Sequence, residues 1–216
     1  LKELSKNATL EDFTVVITKN QTNGKGQQES VWFSEPNKNL TFSVYLDDLQ
    51  LDINDKKYLN FAVSLAIFTT LKHKKIPNLA IKWPNDIIVE DKKVCGILIE
   101  NNWSDFKIQS AIIGFGINVN QEKFMIPKAT SIKNVISQFI SLSEVQKSVI
   151  AYFDNWYSRL ESGQKDFIKA EYEKHLFKKN EKAEFIFEDR MITATIQGVN
   201  TLGHLILLDS EGNKIS

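Results

Sequence analysis

The chain has 216 residues, of which 42% are hydrophobic and 25% charged, so it is long enough to bury a substantial core. Its 27 basic residues balance 27 acidic ones, which argues against a global field that attracts nucleic acid or an anionic membrane. The single cysteine, Cys95, excludes an internal disulfide, and one cysteine with three histidines gives no zinc-ligand spacing. No apolar run is long enough to span a membrane, and we therefore expect a cytoplasmic protein.

The first half of the chain predicts two strands and a long helix. Residues 13–20 are rich in β-branched side chains, which favours a strand, and the polar, glycine-punctuated residues 21–30 favour a loop. A second strand follows at 40–46. From Lys57 to Leu71 apolar residues recur at helical spacing on a wide face, which predicts a largely buried helix.

The middle of the chain predicts a sheet followed by another helix. Short turns separate four β-rich runs, and such short connections favour antiparallel neighbours. Ser143 with Gln146 predicts a capping box at the start of a helix. Because strands and helices are grouped rather than alternating, the predicted class is α+β with a mixed or antiparallel sheet. The four runs are 80–83, 86–90, 93–100 and 107–119.

The character of the sequence changes after Leu176. Short alternating strands are predicted at 182–189, 191–199 and 204–212, a pattern typical of a small β-barrel or sandwich. We therefore predict two domains, 1–176 and 177–216.

A loop at 21–32 is the first candidate site. Gly24 and Gly26 flank Lys25, and Trp32 closes the segment. Glycines let backbone N–H groups approach a ligand closely, which is one way to hold an anion. An ordinary surface loop explains the same residues, and the spacing is neither that of a P-loop nor that of a dinucleotide-binding fingerprint.

Lys82 is the second candidate. It ends an apolar run just before Pro84, which removes a backbone donor, and Asn85 and Asp86 follow at once. A lysine among apolar residues is costly unless its ammonium reaches an anion or water. Lys82 is therefore either a cation aimed into a cleft or an edge lysine with a solvated head.

The segment "GFGINVN" at 114–120 is the third candidate. Gly114 and Gly116 within a β pattern indicate close approach of a backbone or a ligand. Asn118 is either a ligand contact or a hydrogen-bonded structural asparagine.

These motifs, taken in order, resemble the biotin protein ligase family. The resemblance is carried by "QTNGKGQ", "VWFS", "KNLTFSV", "KWPNDI", "KKVCGILIE" and "GFGINVN". It implies a catalytic domain related to class II aminoacyl-tRNA synthetases and an SH3-like C-terminal β-barrel. It also implies a ligase that activates biotin with ATP and Mg2+ as biotinyl-5'-AMP and transfers it to a lysine of a biotin carboxyl carrier domain.

The resemblance assigns roles to individual residues. Lys82 matches the active-site lysine that contacts the biotin carboxylate and the phosphate, and Trp83, Asn85 and Asp86 match its structural support. Mg2+ is expected to be bound through the ATP phosphates and not by protein ligands. The biotin-contacting residues implied, besides Lys82, are Gln21, Lys25, Gly26 and Gln27. The adenylate-contacting residues implied, besides Lys82, are Gly24, Lys25, Gly26, Trp32, Lys93, Gly96 and Asn118.

The chain departs from the family pattern at three places. A Ser-Thr-Asn biotin motif is expected before the first helix and is absent from the sequence as given. In the loop, Glu29 stands where a glycine is usual, and Gln27 and Ser30 stand where arginine is common, which predicts weaker retention of the anionic adenylate. Nothing predicts the DNA-binding domain of repressor members, so no DNA partner is expected, whereas a homodimer is compatible with the family.

Two alternatives to a biotin protein ligase are a degenerate biotin- or nucleotide-binding protein and a lipoate ligase.

Overall fold

The computed structural model describes residues 1–27 and 30–216. The predicted role of Glu29 therefore lies outside the described residues. Helices are α1 Leu4–Asn7, α2 Lys56–His73, α3 Ile132–Ile136, α4 Leu142–Glu161 and α5 Lys165–Lys174. Strands are β1 Val15–Thr18, β2 Gly24–Lys25, β3 Val31–Trp32, β4 Leu40–Leu46, β5 Leu51–Asp52, β6 Leu79–Lys82, β7 Asp86–Val89, β8 Lys92–Ser104, β9 Lys107–Ile117, β10 Lys182–Phe187, β11 Arg190–Val199, β12 Leu205–Asp209 and β13 Lys214–Ile215.

An antiparallel sheet forms the centre of the molecule. Its strands follow the order β1-β4-β9-β8-β7-β6, and β5 pairs with β9 at one end. Along β4 and β9 buried residues alternate with partly exposed ones, as expected for a sheet with one covered face. The predicted α+β class and the antiparallel pairing of the four middle runs are confirmed.

Helices α2 and α4 cover the inner face of this sheet. Phe42 of β4 stacks on Phe115 of β9 at a centroid distance of 4.5 Å, and Phe153 of α4 packs edge-on against Phe115. Helix α2 is buried along most of its length, because it lies between the sheet and α4. The inner face is therefore a closed hydrophobic core, and the opposite face, which we call the outer face, remains available for a ligand.

Two predictions about element boundaries were wrong, and one helix was missed. Helix α4 begins at Leu142, and Ser141 rather than Ser143 caps it, since the Ser141 hydroxyl accepts the Glu144 N–H. The expected turn at 101–106 is mostly strand, because β8 continues to Ser104. Helix α5 was not predicted at all.

A second antiparallel sheet, in the order β10-β11-β12-β13, follows α5. It is consistent with the predicted SH3-like C-terminal unit, and we call it the C-terminal sheet. The division at residue 176 stays a prediction. The hydrophobic core extends from the central sheet into this one through Ala194, Ile196, Val199 and Leu207. No helix within the described residues is long and apolar enough to cross a membrane.

Candidate active site

Three glycines open the outer face of the central sheet, and we call them the glycine floor: Gly96, Gly114 and Gly116. Gly96 of β8 pairs directly with Gly116 of β9, and Gly114 pairs with Leu98. On the other side of β9, Thr41 of β4 pairs with Gly116. Residues directly opposite each other in an antiparallel pair project to the same face, so the missing side chains leave one continuous shallow area.

The indole of Trp32 lies on this floor. A Cβ added to Gly116 would lie 2.6 Å from Trp32 Cε2, and one added to Gly96 would lie 3.2 Å from Trp32 Cζ3. Gly116 therefore requires glycine while the indole stays in place, whereas a Cβ at Gly96 would need only a small shift of the Lys93 or Trp32 side chain. Because the indole packs directly on Gly96 and Gly116, a flat ring can stack only on the part of the indole that remains exposed. We call the space over this part of the indole the slot.

Lys93 brings a cation to the edge of the slot. Its Nζ lies 2.7 Å from Asp86 Oδ1 and 5.7 Å from the centre of the Trp32 ring. The same Nζ is 3.1 Å from the place of a Cβ at Gly96. The resemblance implied that Lys93 is one of several residues that contact the adenylate. In the structure its ammonium lies directly above the glycine floor, at Gly96.

Lys82 ends β6 next to this pair. It lies opposite Asp86 in the β6–β7 register, so the two side chains project to the same face. Lys82 is exposed, and no ion-pair partner for it occurs among residues 1–27 and 30–216. Its ammonium is thus unpaired beside the Asp86–Lys93 pair, which is compatible with a role in binding an anion.

Part of the glycine loop, the name we give to residues 21–32, forms one wall of a cleft of about 360 Å3. The short pair β2–β3 shapes this loop, and Gly24 lies directly opposite Trp32 in its register. Gly24 is buried against the Trp32 carbonyl, where a side chain would collide. Leu98 and Glu100 of β8 line the opposite wall, and the sequence did not predict either of them. The lining residues are Asn23, Gly24, Lys25, Gly26, Ser30, Val31, Leu98 and Glu100.

Buried polar atoms without partners concentrate around this region. Within the described part of the chain, five side-chain oxygen or nitrogen atoms are buried and lack a hydrogen bond. One is the Ser64 hydroxyl of α2. The other four belong to the glycine loop, to the outer face or to the end of β9: Gln21 Oε1, Trp32 Nε1, Thr41 Oγ1 and Asn118 Oδ1. Because an unpaired buried polar group is costly, this concentration indicates a site that a polar ligand completes.

Asn118 is hydrogen-bonded as a structural asparagine, and its contact with a ligand stays a prediction. Its Nδ2 donates to the Thr130 carbonyl at 3.0 Å, which fixes the amide, while Oδ1 stays buried without a partner in residues 1–27 and 30–216. The hydrogen bond from Nδ2 to Thr130 therefore fixes the orientation of the Oδ1 acceptor.

Trp83 and Asn85 lie in the turn between β6 and β7 and contact other elements. Asn85 is buried, and its Nδ2 donates to the Ile97 carbonyl at 2.6 Å. The Trp83 indole donates to the Gly203 carbonyl at 2.9 Å. Gln27 is exposed and does not line the cleft, so the structure does not bring it to the other predicted residues.

No group of three or more acidic, histidine or cysteine side chains suited to a metal ion occurs among the described residues. Burial raises the pKa of the Cys95 thiol, which keeps it protonated and unreactive at neutral pH.

The outer face of the antiparallel α+β fold thus brings together a glycine floor, a glycine loop and two lysines, which are groups suited to an anionic, ring-containing ligand. The chain belongs to the biotin/lipoate A/B protein ligase family, which residues 1–118 match. The resemblance found in the sequence is thereby confirmed.

Two relatives show how far the similarity extends. The chain is 30% identical over 160 residues to the bifunctional ligase/repressor BirA of Bacillus subtilis, an alignment covering 72% of this chain and 49% of that protein. It is 27% identical over 210 residues to biotin–protein ligase 2 of Arabidopsis thaliana, covering 92% of this chain and 63% of that protein. The chain thus spans about half to two thirds of the length of these relatives.

Solved structures share the fold over nearly the whole chain. The biotin protein ligase from Aquifex aeolicus, in complex with biotin and ATP, has a TM-score of 0.82 at 24% identity, covering 99% of this chain and 90% of that one. The biotin protein ligase from Leishmania major, in complex with biotinyl-5-AMP, has a TM-score of 0.62 at 22% identity, covering 95% and 89%. These likenesses confirm the predicted fold.

Proposed function

We propose that the protein is an ATP-dependent biotin protein ligase. In the first step a biotin carboxylate oxygen attacks the α-phosphorus of ATP, the bond to pyrophosphate breaks, and biotinyl-5'-AMP forms. In the second step the amine of an acceptor lysine attacks the acyl carbon, AMP leaves, the amine loses a proton, and an amide remains. Mg2+ enters with ATP as part of the substrate. Membership of the family and the names of its relatives, a bifunctional ligase/repressor and a biotin–protein ligase, support this proposal.

The observation that carries the proposal is the slot on the outer face. The Trp32 indole, which packs on the glycine floor, offers a flat ring one aromatic surface, and the Lys93 Nζ lies 5.7 Å from the centre of the indole. Negative charge accumulates between carboxylate and phosphate during adenylation, and a fixed cation there stabilises the transition state. Lys82, beside Asp86, is placed to supply a second positive charge.

Two of the similar proteins named above are biotin protein ligases, which favours biotin over lipoate. Asn23, Ser30 and Glu100 line the cleft with groups that can hydrogen-bond to a ureido ring, but all three are exposed, so water satisfies them equally well. A degenerate binder remains the alternative because Gln27 and Glu29 reduce positive charge in the glycine loop.

The experiment is exchange of labelled pyrophosphate into ATP, measured with biotin and separately with lipoate. Exchange that depends on biotin is expected, followed by transfer to a carrier domain. Binding of biotin without exchange would favour the degenerate binder, and exchange with lipoate alone would favour the lipoate ligase.

Replacing each lysine tests its role in adenylation. Lys82→Ala is expected to abolish adenylate formation, and with it the exchange, because the resemblance assigns Lys82 to the carboxylate and the phosphate. Lys93→Ala is expected to lower the exchange rate by about 100-fold or more, because its ammonium lies above the floor. Lys92→Ala is the matched control, since Lys92 is the exposed neighbour of Lys93 on β8. Unchanged exchange in either active-site variant would remove that lysine from the mechanism.

A further inference from the structure

Residues 82–86 form the turn between β6 and β7, which we call the 82–86 hairpin. A hydrogen bond joins this hairpin to the C-terminal sheet. The Trp83 indole N–H reaches across to the Gly203 carbonyl, a contact between residues 120 positions apart. Nothing in the adenylation chemistry requires this bond, so its presence needs another explanation.

The turn that carries Gly203 is itself rigid. The Asn200 side-chain oxygen accepts the N–H groups of both Leu202 and His204, at 2.9 and 3.0 Å. Gly203 has a φ of +89°, and a Cβ there would lie 3.1 Å from Lys57 Cβ of α2. The carbonyl that receives the indole is therefore held in one place by its own turn and by α2.

Two further hydrogen bonds hold Pro84, the next residue of the hairpin. The Pro84 carbonyl accepts hydrogen bonds from Tyr172 Oη of α5 and Asn60 Nδ2 of α2, both at 2.8 Å. Tyr172 is fully buried and stacks on Phe61, so its hydroxyl has little freedom. Burial also raises the pKa of Tyr172, which keeps the hydroxyl protonated as the donor.

The residues at the end of this hairpin belong to the candidate site. Asp86 holds the Lys93 ammonium at 2.7 Å, and Lys82 lies opposite Asp86. A small displacement of the turn moves this carboxylate relative to the glycine floor. Misplacement of a reacting group by about 1 Å can cost on the order of 100-fold in rate.

We propose that Trp83 and Tyr172 are positioning residues through which the C-terminal sheet and α5 set the place of the Asp86–Lys93 pair. This inference rests on the proposed function and extends it to parts of the chain that do not touch the slot. Both residues act through the 82–86 hairpin and not on the substrate.

The competing explanation is that these bonds only attach the C-terminal sheet to the rest of the molecule. Glu173 provides a control for attachment alone. Its Oε1 accepts the Val199 N–H at 2.8 Å and lies 3.3 Å from Lys169 Nζ, so it joins α5 to the same sheet without touching the hairpin.

The test compares Trp83→Phe, Tyr172→Phe and Glu173→Gln in the full chain, with biotin-dependent pyrophosphate exchange and thermal unfolding as readouts. Each Phe variant keeps most of the ring and removes one donor. We expect kcat to fall about tenfold in both Phe variants with the KM values for biotin and ATP within about twofold of wild type. Glu173→Gln is expected to lower the unfolding temperature but to leave kcat unchanged.

A double-mutant cycle separates positioning from general loosening. In an Asp86→Asn background the charged contact to Lys93 is already lost, so adding Trp83→Phe should change kcat by less than about twofold. A tenfold loss in both backgrounds, or an equal loss of kcat in Glu173→Gln, would overturn the inference. Wild-type exchange is measured first: its absence would refute the proposed function itself, whereas a normal wild-type rate with unaltered Phe variants would refute only the positioning role.

Discussion

Two glycines of the outer face differ in the space that each leaves for a side chain. Gly116 and Gly114 are two residues apart on β9 and project to the same face, yet their surroundings differ. A Cβ at Gly116 would collide with the Trp32 indole at 2.6 Å, whereas one at Gly114 would meet its nearest neighbour, the Leu98 carbonyl, at an ordinary 3.5 Å.

Gly116→Ala is therefore expected to displace the indole and to destabilise the protein by about 1–3 kcal/mol. Gly114→Ala, its matched control, should cost less than about 1 kcal/mol because no atom has to move. Urea unfolding of both variants measures the difference, and equal losses of stability would show that the indole does not rest on Gly116. The same displacement should raise the KM for ATP in Gly116→Ala.

The candidate site could be predicted only where its residues are consecutive in the chain. The glycine loop, Lys82 and "GFGINVN" are local motifs, and a sequence displays them directly. Leu98, Glu100 and Thr41 stand within motifs quoted above, but no role was assigned to them, since only the cross-strand register brings them beside the glycines. Lys93 was assigned to the adenylate contacts by the resemblance, whereas the position of its ammonium at the floor depends on the pairing of β7 with β8, which is irregular between Ile87 and Ile88.

At the scale of elements, the start of α4 shows how two neighbouring serines compete for one role. Both Ser141 and Ser143 precede an apolar periodic run, and both have a suitable residue three positions later. The extended backbone of Ser141 lets its hydroxyl accept the Glu144 N–H, while Ser143 is already inside the helix. Tertiary packing of Leu142 and Val145 against the core fixes this choice.

Ser141→Ala is expected to lower the free energy of unfolding by about 1 kcal/mol, because it removes the helix cap. Ser143→Ala should have a smaller effect, since only its contact with Ser141 is lost. Denaturant unfolding of the two variants is the measurement. A larger effect of Ser143→Ala would restore the cap predicted from the sequence.

The segment that follows α5 contains a titratable group beside β6. His175 stacks on Phe68, and its carbonyl accepts the Ile81 N–H. Burial lowers the pKa of His175 below 6.5, nearby Lys72 and Lys174 act in the same direction, and Glu171 opposes them. Because the folded state disfavours the protonated ring, the stability it contributes is present above pH 6.5 and is lost as the pH falls towards the lowered value.

His175→Gln should therefore flatten the pH dependence of the unfolding temperature between about pH 7.5 and pH 5. His204→Gln, which changes an exposed histidine in a turn, is the control and should keep the wild-type slope. Thermal unfolding across this range is the measurement, and a slope unchanged by His175→Gln would assign the acid sensitivity to other groups.

At the scale of the whole molecule, the two sheets share one core. Ile196 and Val199 of β11 belong to the same buried cluster as Tyr172 and Leu176. The change in strand pattern after Leu176 correctly predicted a separate sheet. The core that this sheet shares with the central sheet could not be predicted, because it is formed by residues far apart in the sequence. Helix α5 was missed for a related reason: only Ile168 and Tyr172 among its residues are fully buried, so its periodic signal is weak.

A shared core predicts that the chain unfolds in one step. Ile196→Ala should cost about 2–4 kcal/mol and should lower the unfolding midpoint equally for probes in the central and C-terminal sheets. Hydrogen exchange at Ile113 and at Leu207 supplies the two probes. If only Leu207 loses protection, the C-terminal sheet unfolds by itself, and the predicted boundary at residue 176 marks an independent domain.

The position of Trp32 also gives the protein an optical property. Its indole packs on the glycine floor, the Lys93 Nζ lies 5.7 Å from the ring centre, and the buried indole N–H has no acceptor within the described residues. A ligand that enters the slot alters the polarity on one side of the indole or supplies that acceptor, and indole emission responds to both. Subtracting the spectrum of Trp32→Phe from that of wild type would isolate this signal from the other three tryptophans, so occupancy of the slot could be followed in real time without any attached dye.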